Sequence, residues 1–159
     1  MITGSMTIRA PEQVDDAASG SAQSRLDEEI GAGEQPRLQT VLLIEDDHEL
    51  AHALALRLQG TGLAVARAHD GPSGLEKLRL LQPDLIILDL RLPRMEGDRF
   101  LRFLRMTPEH SAVPVIVITG ASDAALIERV ENWGISRLMR KPVSPKELLR
   151  AALDILQAS

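Results

Sequence analysis

Residues 84–93 read DLIILDLRLP. Four apolar side chains, Leu85 to Leu88, run without a break into an acid, Asp89. A carboxylate is costly to bury, so such a run makes sense where a buried strand ends at an open rim and its last residue faces a site. A second stretch, VLLIEDD at 41–47, has the same form and ends in three acids. Short continuous apolar runs are what strands covered on both faces look like. Outward from these two, strand-like runs lie at 40–46, 63–68, 84–89, 113–119 and, more weakly, 137–140. Helix-like periodicity occupies about 48–60, 71–82, 97–106, 122–133 and 145–157.

The punctuation agrees with this division. Asp70-Gly71-Pro72 opens the second helix, and Ser144-Pro145-Lys146-Glu147 is a capping box with proline at the first helical position. Gly60 and Gly134 stand where helices stop. Strands alternating with helices predict an α/β fold, a doubly wound five-stranded parallel sheet with helices on both faces. Five repeats do not close an eight-stranded barrel.

Composition narrows the chemistry. The 159 residues suffice for one domain with a proper core. There is no cysteine, which excludes disulfide scaffolds, thiolate zinc sites and thiol catalysis. Aromatic residues are nearly absent, only Phe100, Phe103 and Trp133, so the core is aliphatic. No apolar run is long enough to span a bilayer and no signal peptide opens the chain, so the expectation is a soluble cytoplasmic protein without a membrane partner. A net charge of −5 argues against a broad nucleic-acid surface. Most of that charge lies in residues 1–39, a Gly-, Ser-, Ala- and acid-rich stretch expected to be a flexible arm. MITGS at 1–5 has the look of a cloning remnant before a natural start at Met6. Only SRLDEEIG, with Leu26 and Ile30 four apart, hints at a short helix there. The domain proper is expected to be 40–159, nearly neutral.

In open parallel sheets, ligands bind beyond the carboxyl ends of the strands. The first run ends in Glu45 and Asp46, the third in Asp89, the fourth in Thr119 and the last in Lys141-Pro142, so all project onto one rim. Carboxylates gathered there repel one another unless a cation is present, and a hard, oxygen-preferring ion such as Mg²⁺ fits. A lysine and a threonine hydroxyl beside it suit phosphoryl oxygens. With no cysteine and no serine elbow, the candidate nucleophile is a carboxylate, and Asp89 is the lone acid ending the central strand. The bland alternative is that Asp46 and Asp47 merely cap the first helix.

These residues together resemble a receiver domain of the bacterial two-component response regulators, over residues 40–157. The likeness rests on Glu45-Asp46, on Asp89 followed by Pro93 and Gly97, on Thr119 after VPVIVI, and on Lys141-Pro142. It implies a flavodoxin-like fold of strand order 2-1-3-4-5. It implies that Asp89 accepts a phosphoryl group from a sensor histidine kinase or a histidine phosphotransfer protein. It further implies that Asp46, Asp89 and the backbone carbonyl of Arg91 bind Mg²⁺, with Glu45 helping through water, and that Lys141 and Thr119 contact the phosphoryl group. Such a protein catalyses only its own phosphorylation and dephosphorylation, and a cis peptide before Pro142 is expected.

The chain also departs from the family pattern. An aromatic residue usually stands three before the lysine; here it is Leu138, which leaves a phosphorylation-independent binding module as an alternative. Ala121, two after Thr119, offers no polar group to orient an attacking water, so a long-lived phosphoaspartate is expected. Glu128, Glu131, Arg137 and Arg140 form a mixed-charge surface that a second copy could pair with. The chain ends just past the fifth helix, so the expectation is a stand-alone receiver that signals through a downstream protein target. One rival needs weighing. HELAH at 48–52 matches the H-E-x-x-H zinc hydrolase motif, with His48 and His52 as ligands and Glu49 as base. A buried stripe of Leu50, Leu54 and Leu58 would put both histidines on the solvent side, where a third ligand is lacking.

Overall fold

The computed structural model describes residues 37–120 and 122–159. Residues 1–36 of the expected arm, and Ala121, lie outside the described residues. The body, Leu38–Ser159, is built in the order β1 (Thr40–Ile44), α1 (His48–Gln59), β2 (Ala64–Ala68), α2 (Gly71–Leu81) and β3 (Leu85–Asp89). It continues with α3 (Gly97–Met106), β4 (Val115–Thr119), α4 (Ala124–Asn132), β5 (Arg137–Arg140) and α5 (Pro145–Gln157). The five strands form one parallel sheet in the order β2-β1-β3-β4-β5.

The apolar runs explain this arrangement. Side chains alternate across a strand, so β1, β3 and β4, apolar except for one end residue each, feed two cores at once. Val41, Leu43, Leu85, Ile87, Ile116 and Ile118 pack with Ala51, Leu54, Ala55 and Leu58 of α1 and with Leu148, Ala151, Ala152 and Leu156 of α5. Leu42, Ile44, Ile86, Leu88, Val115 and Val117 pack on the other face with Leu78 of α2, Phe100, Leu101 and Leu104 of α3, and Leu126, Ile127 and Val130 of α4. Strand β5, with exposed Arg137 and Arg140 at its ends, is an edge.

The differences from expectation are local. The buried stripe of α1 is Ala51, Leu54, Ala55 and Leu58, with Leu50 only half-buried, because small alanines allow close approach to the sheet. Strand β1 stops at Ile44, since the backbone after it must turn so that Asp47 can cap α1 through hydrogen bonds from Glu49 N and Leu50 N, both 3.0 Å. Strand β4 starts at Val115 because Pro114 has no N–H for the ladder. Helix α4 starts at Ala124, capped by Asp123. The Lys141–Pro142 peptide is cis, as expected. Among the described residues, no helix is long and apolar enough to cross a membrane.

One close approach sets the geometry behind Asp89. A Cβ on Gly97 would overlap the Asp89 carbonyl and lie 2.7 Å from Leu90 Cα. Those are backbone atoms of the central strand's end and cannot swing away. Gly97→Ala should therefore lower unfolding free energy by about 1–3 kcal/mol, the range of overpacked cores, read as a fall in the urea midpoint. Gly60→Ala, with only ordinary contacts around it, serves as the control and should change the midpoint little.

Candidate functional site

Parallel register brings the acids together. Ile44 pairs with Leu88, so the next residues on β1 and β3, Glu45 and Asp89, arrive at the same rim. Asp89 pairs with Ile118, and β4 ends one residue later at Thr119, which is fully buried. The Thr119 carbonyl accepts a hydrogen bond from Lys141 N at 2.9 Å, which sets the start of the β5–α5 connection beside it. Glu45, Asp46 and Asp89 each offer a carboxylate oxygen, and these lie within 4.8 Å of one another. Glu45 and Asp89 are buried and Asp46 is exposed.

Lys141 joins the acids. Its Nζ donates to Asp89 Oδ2 at 2.7 Å and to Glu45 Oε1 at 3.1 Å, and it lies 2.9 Å from Glu45 Oε2. The last contact is an ion pair without hydrogen-bond geometry, which leaves Oε2 a buried acceptor without a hydrogen-bond donor. Glu45 Oε1 also accepts from Asp47 N at 3.1 Å, and Asp89 Oδ1 accepts from Arg91 N at 3.0 Å. Glu45 and Asp89 are thus each held by donors from loops beyond their own strands.

The electrostatics follow from burial. Loss of water raises the Glu45 pKa above the ordinary carboxylate range; the hydrogen bond from Lys141 opposes the rise, and the Asp89 charge adds to it. Burial also works against the Lys141 ammonium, but hydrogen bonds to Asp89 and Glu45, with their charges, outweigh it and raise its pKa. Lys141 is therefore a fixed cation among the acids.

The structure gathers Glu45, Asp46, Asp89 and Lys141 and sets Thr119 at the adjoining strand end. The two aspartates after β1 divide their tasks: Asp47 caps α1, and Asp46 stands with the acidic cluster. The zinc motif is not assembled. His48, Glu49 and His52 are exposed, His48 stacks on His69 with ring centroids 3.9 Å apart, and His52 Nδ1 lies 3.5 Å from Arg67. Among the described residues, neither histidine belongs to a group of three metal-ligating side chains. The sequence marks Asp70 only as the opener of α2; the structure also pairs it with Arg94, a residue carrying no signal of its own. Leu138 is half-buried against the core under α2, α3 and α4.

Comparison with known proteins gives the family. The family described as response regulator receiver domain matches residues 41–153, and the chain belongs to it. Its setting is two-component signal transduction. The chain is 37% identical over 111 residues to the DNA-binding response regulator MtrA of Mycobacterium tuberculosis, covering 70% of this chain and 47% of that one. It is 37% identical over 117 residues to the transcriptional regulatory protein AfsQ1 of Streptomyces coelicolor, covering 72% and 51%. A hybrid signal transduction histidine kinase D of Dictyostelium discoideum is 33% identical over 116 residues, 73% of this chain and 7% of the kinase. The chain thus spans about half, or far less, of the curated relatives it matches. Among solved structures, a CheY-like receiver domain protein from Methanospirillum hungatei superposes with a TM-score of 0.72 at 25% identity, covering 77% of this chain and 96% of that one. A response regulator from Chloroflexus aurantiacus gives 0.70 at 29%, covering 76% and 99%.

The raised Glu45 pKa has a stability consequence with a definite sign. A folded pKa above the unfolded one means that the native state holds the proton more tightly. In metal-free buffer, stability should therefore rise as pH falls from neutral through the folded Glu45 pKa toward the unfolded value of about 4.3. Glu45→Gln should abolish that rise and be more stable than wild type at neutral pH, measured by urea denaturation in EDTA across the pH series.

Proposed function

We propose that Asp89 accepts a phosphoryl group from a phosphohistidine on a sensor histidine kinase or histidine phosphotransfer protein, with Mg²⁺ as cofactor, and that the product switches binding to a downstream protein. The observation carrying this reading is the Asp89 carboxylate, 2.7 Å from Lys141 Nζ and clustered with the oxygens of two further acids. The donor set is all oxygen, with one exposed and two buried carboxylates, which fits a hard divalent ion better than a softer one. Glu45, Asp46, Asp89 and the Arg91 carbonyl would hold Mg²⁺. When bound, Mg²⁺ supplies positive charge that offsets both the clustered acids and the transferring phosphoryl oxygens.

The chain's own groups do the rest by position and charge. An Asp89 carboxylate oxygen bonds to phosphorus as the bond from phosphorus to the donor imidazole nitrogen breaks, and the imidazole leaves with the bonding pair. The Arg91 N–H fixes the carboxylate's orientation through Oδ1. Lys141 exchanges part of its contact with Asp89 Oδ2 for a phosphoryl oxygen, so its charge follows the group. Thr119 hydrogen-bonds the phosphoryl group, which biases the end of β4 between two arrangements. With Leu138 in the usual aromatic position, this movement is transmitted through aliphatic packing against the core. The receiver unit is residues 40–159, within the compact body Leu38–Ser159.

Intact mass after incubation with acetyl phosphate tests the reading. Wild type should gain one phosphoryl adduct with Mg²⁺ and none in EDTA, and Asp89→Asn should gain none in either. An adduct on Asp89→Asn, or no adduct on folded wild type with Mg²⁺ present, would sink it. Mg²⁺ at a hundredfold over its dissociation constant should stabilise wild type by about 2.7 kcal/mol. That gain should largely vanish in Asp46→Ala, read from urea midpoints with and without the ion.

A further inference from the structure

The loop after Asp89 carries the Arg91 carbonyl, and its two ends are firmly placed. At one end Arg91 N bonds to Asp89 Oδ1, and at the other Gly97 N donates to Leu90 O at 3.0 Å. Its middle turns toward solvent: Arg91, Pro93 and Arg94 are exposed. What holds that middle comes from the neighbouring β2–α2 connection. Gly71 packs so closely on Met95 that a Cβ there would lie 2.9 Å from the Met95 carbonyl. Arg94 reaches the same connection through an ion pair with Asp70.

Two features of that pair stand out. Arg94 has φ +65°, a left-handed conformation that glycine adopts without cost and arginine does not. It is the central residue of a tight turn in which Met95 N donates to Pro93 O at 2.7 Å. Such three-residue turns with positive φ are rare and strained, and strain of this kind persists where surrounding contacts hold it. The holding contact is a side chain that only a long cation provides. Its partner, Asp70, is buried and already committed: Oδ1 caps α2 by accepting from Ser73 N at 2.7 Å, and Oδ2 takes Arg94. A buried carboxylate fixed by a helix terminus is a rigid anchor for a loop that otherwise faces water.

We infer that Arg94, pinned to Asp70, is a positioning residue that holds the Arg91 carbonyl and the Asp89 carboxylate in the arrangement that binds the divalent cation. This rests on the proposed function for its metal, but not for its mechanics. Loss of the pin should leave the strands and cores intact while the middle of the loop samples other conformations.

The test uses the full chain with Arg94→Gln, which removes the charge but keeps an unbranched polar side chain and the backbone cost. Arg94→Lys keeps the charge, and Asp70→Asn keeps the helix cap while removing the ion-pair partner. Mg²⁺ affinity by calorimetry should weaken about tenfold in Arg94→Gln and in Asp70→Asn, the lower end of what partners of metal ligands contribute. Arg94→Lys should recover to within about threefold of wild type, and the double variant should be no weaker than either single one. Hydrogen exchange in EDTA reads the pin without the metal: Met95 N–H should exchange about tenfold faster in Arg94→Gln, while Ile87 N–H in the central strand stays at the wild-type rate. Wild-type affinity and wild-type Met95 exchange in both single variants would overturn the inference, as would equal acceleration at Met95 and Ile87. Wild type that binds no Mg²⁺ would refute the phosphoacceptor reading instead, and the Met95 exchange rate would still decide whether Arg94 holds the loop.

Discussion

Three carboxylates and one ammonium at the end of a buried sheet are the constraint on which this protein depends. Glu45 and Asp89 are drawn out of water by the strands that carry them, and Lys141 is their shared cation at 2.9 and 2.7 Å. Removing the lysine from such a set would leave two buried carboxylates without their partner, which costs far more than a surface ion pair is worth. Yet the set is not balanced: one lysine cannot neutralise three acids. The cluster therefore keeps an excess of negative charge beside a single fixed cation, the imbalance on which the proposed metal and phosphoryl chemistry rests.

The fold serves this cluster by keeping its framework dry and its rim wet. Strands β1, β3 and β4 are buried on both faces, so their ends have little freedom to shift. Register then does what loops could not: the pairing of Ile44 with Leu88 and of Asp89 with Ile118 sets the acids and Thr119 side by side. Behind Asp89, Gly97 lets α3 begin against the strand's own carbonyl. Each close contact leaves the carboxylate fewer ways to move.

The edge of the sheet near β5 is organised differently. Arg105 donates to four backbone carbonyls, Trp133, Ser111, Val113 and Gly134, at 2.7 to 3.1 Å. It thereby ties the end of α3 to the connection before β4 and to the turn after α4. Its partial burial lowers its pKa, but a guanidinium stays charged at any pH the protein meets. The β5 side therefore has a firm support under a surface of exposed charges, with Leu138 packed inward where an aromatic ring is usual. The packing between the end of β4 and this edge is therefore aliphatic at Leu138.

Much of this was legible in the residues alone. Alternating apolar runs and helical stripes specify a parallel sheet with two covered faces, because strand and helix periods differ and each must bury its apolar side. The acids at the ends of two such runs, with Thr119 and Lys141 at two more, mark the rim without any coordinates. Local chemistry also announced the caps at Asp70 and Ser144. What the sequence could not decide was anything that depends on which segments meet across the sheet. By local chemistry Asp46 and Asp47 look alike; the family likeness singles out Asp46, and the turn into α1 makes Asp47 the cap. HELAH matches a metal motif by letter; its helical period already puts both histidines toward solvent, and the fold leaves them exposed with no third ligand among the described residues. Arg94 shows nothing in sequence, since its left-handed backbone and its bond to Asp70 arise only when the loop after β3 lies against the start of α2. Periodicity and end-of-strand polarity are local and survive in a string of letters; partnership between distant loops is set by packing and appears only in three dimensions.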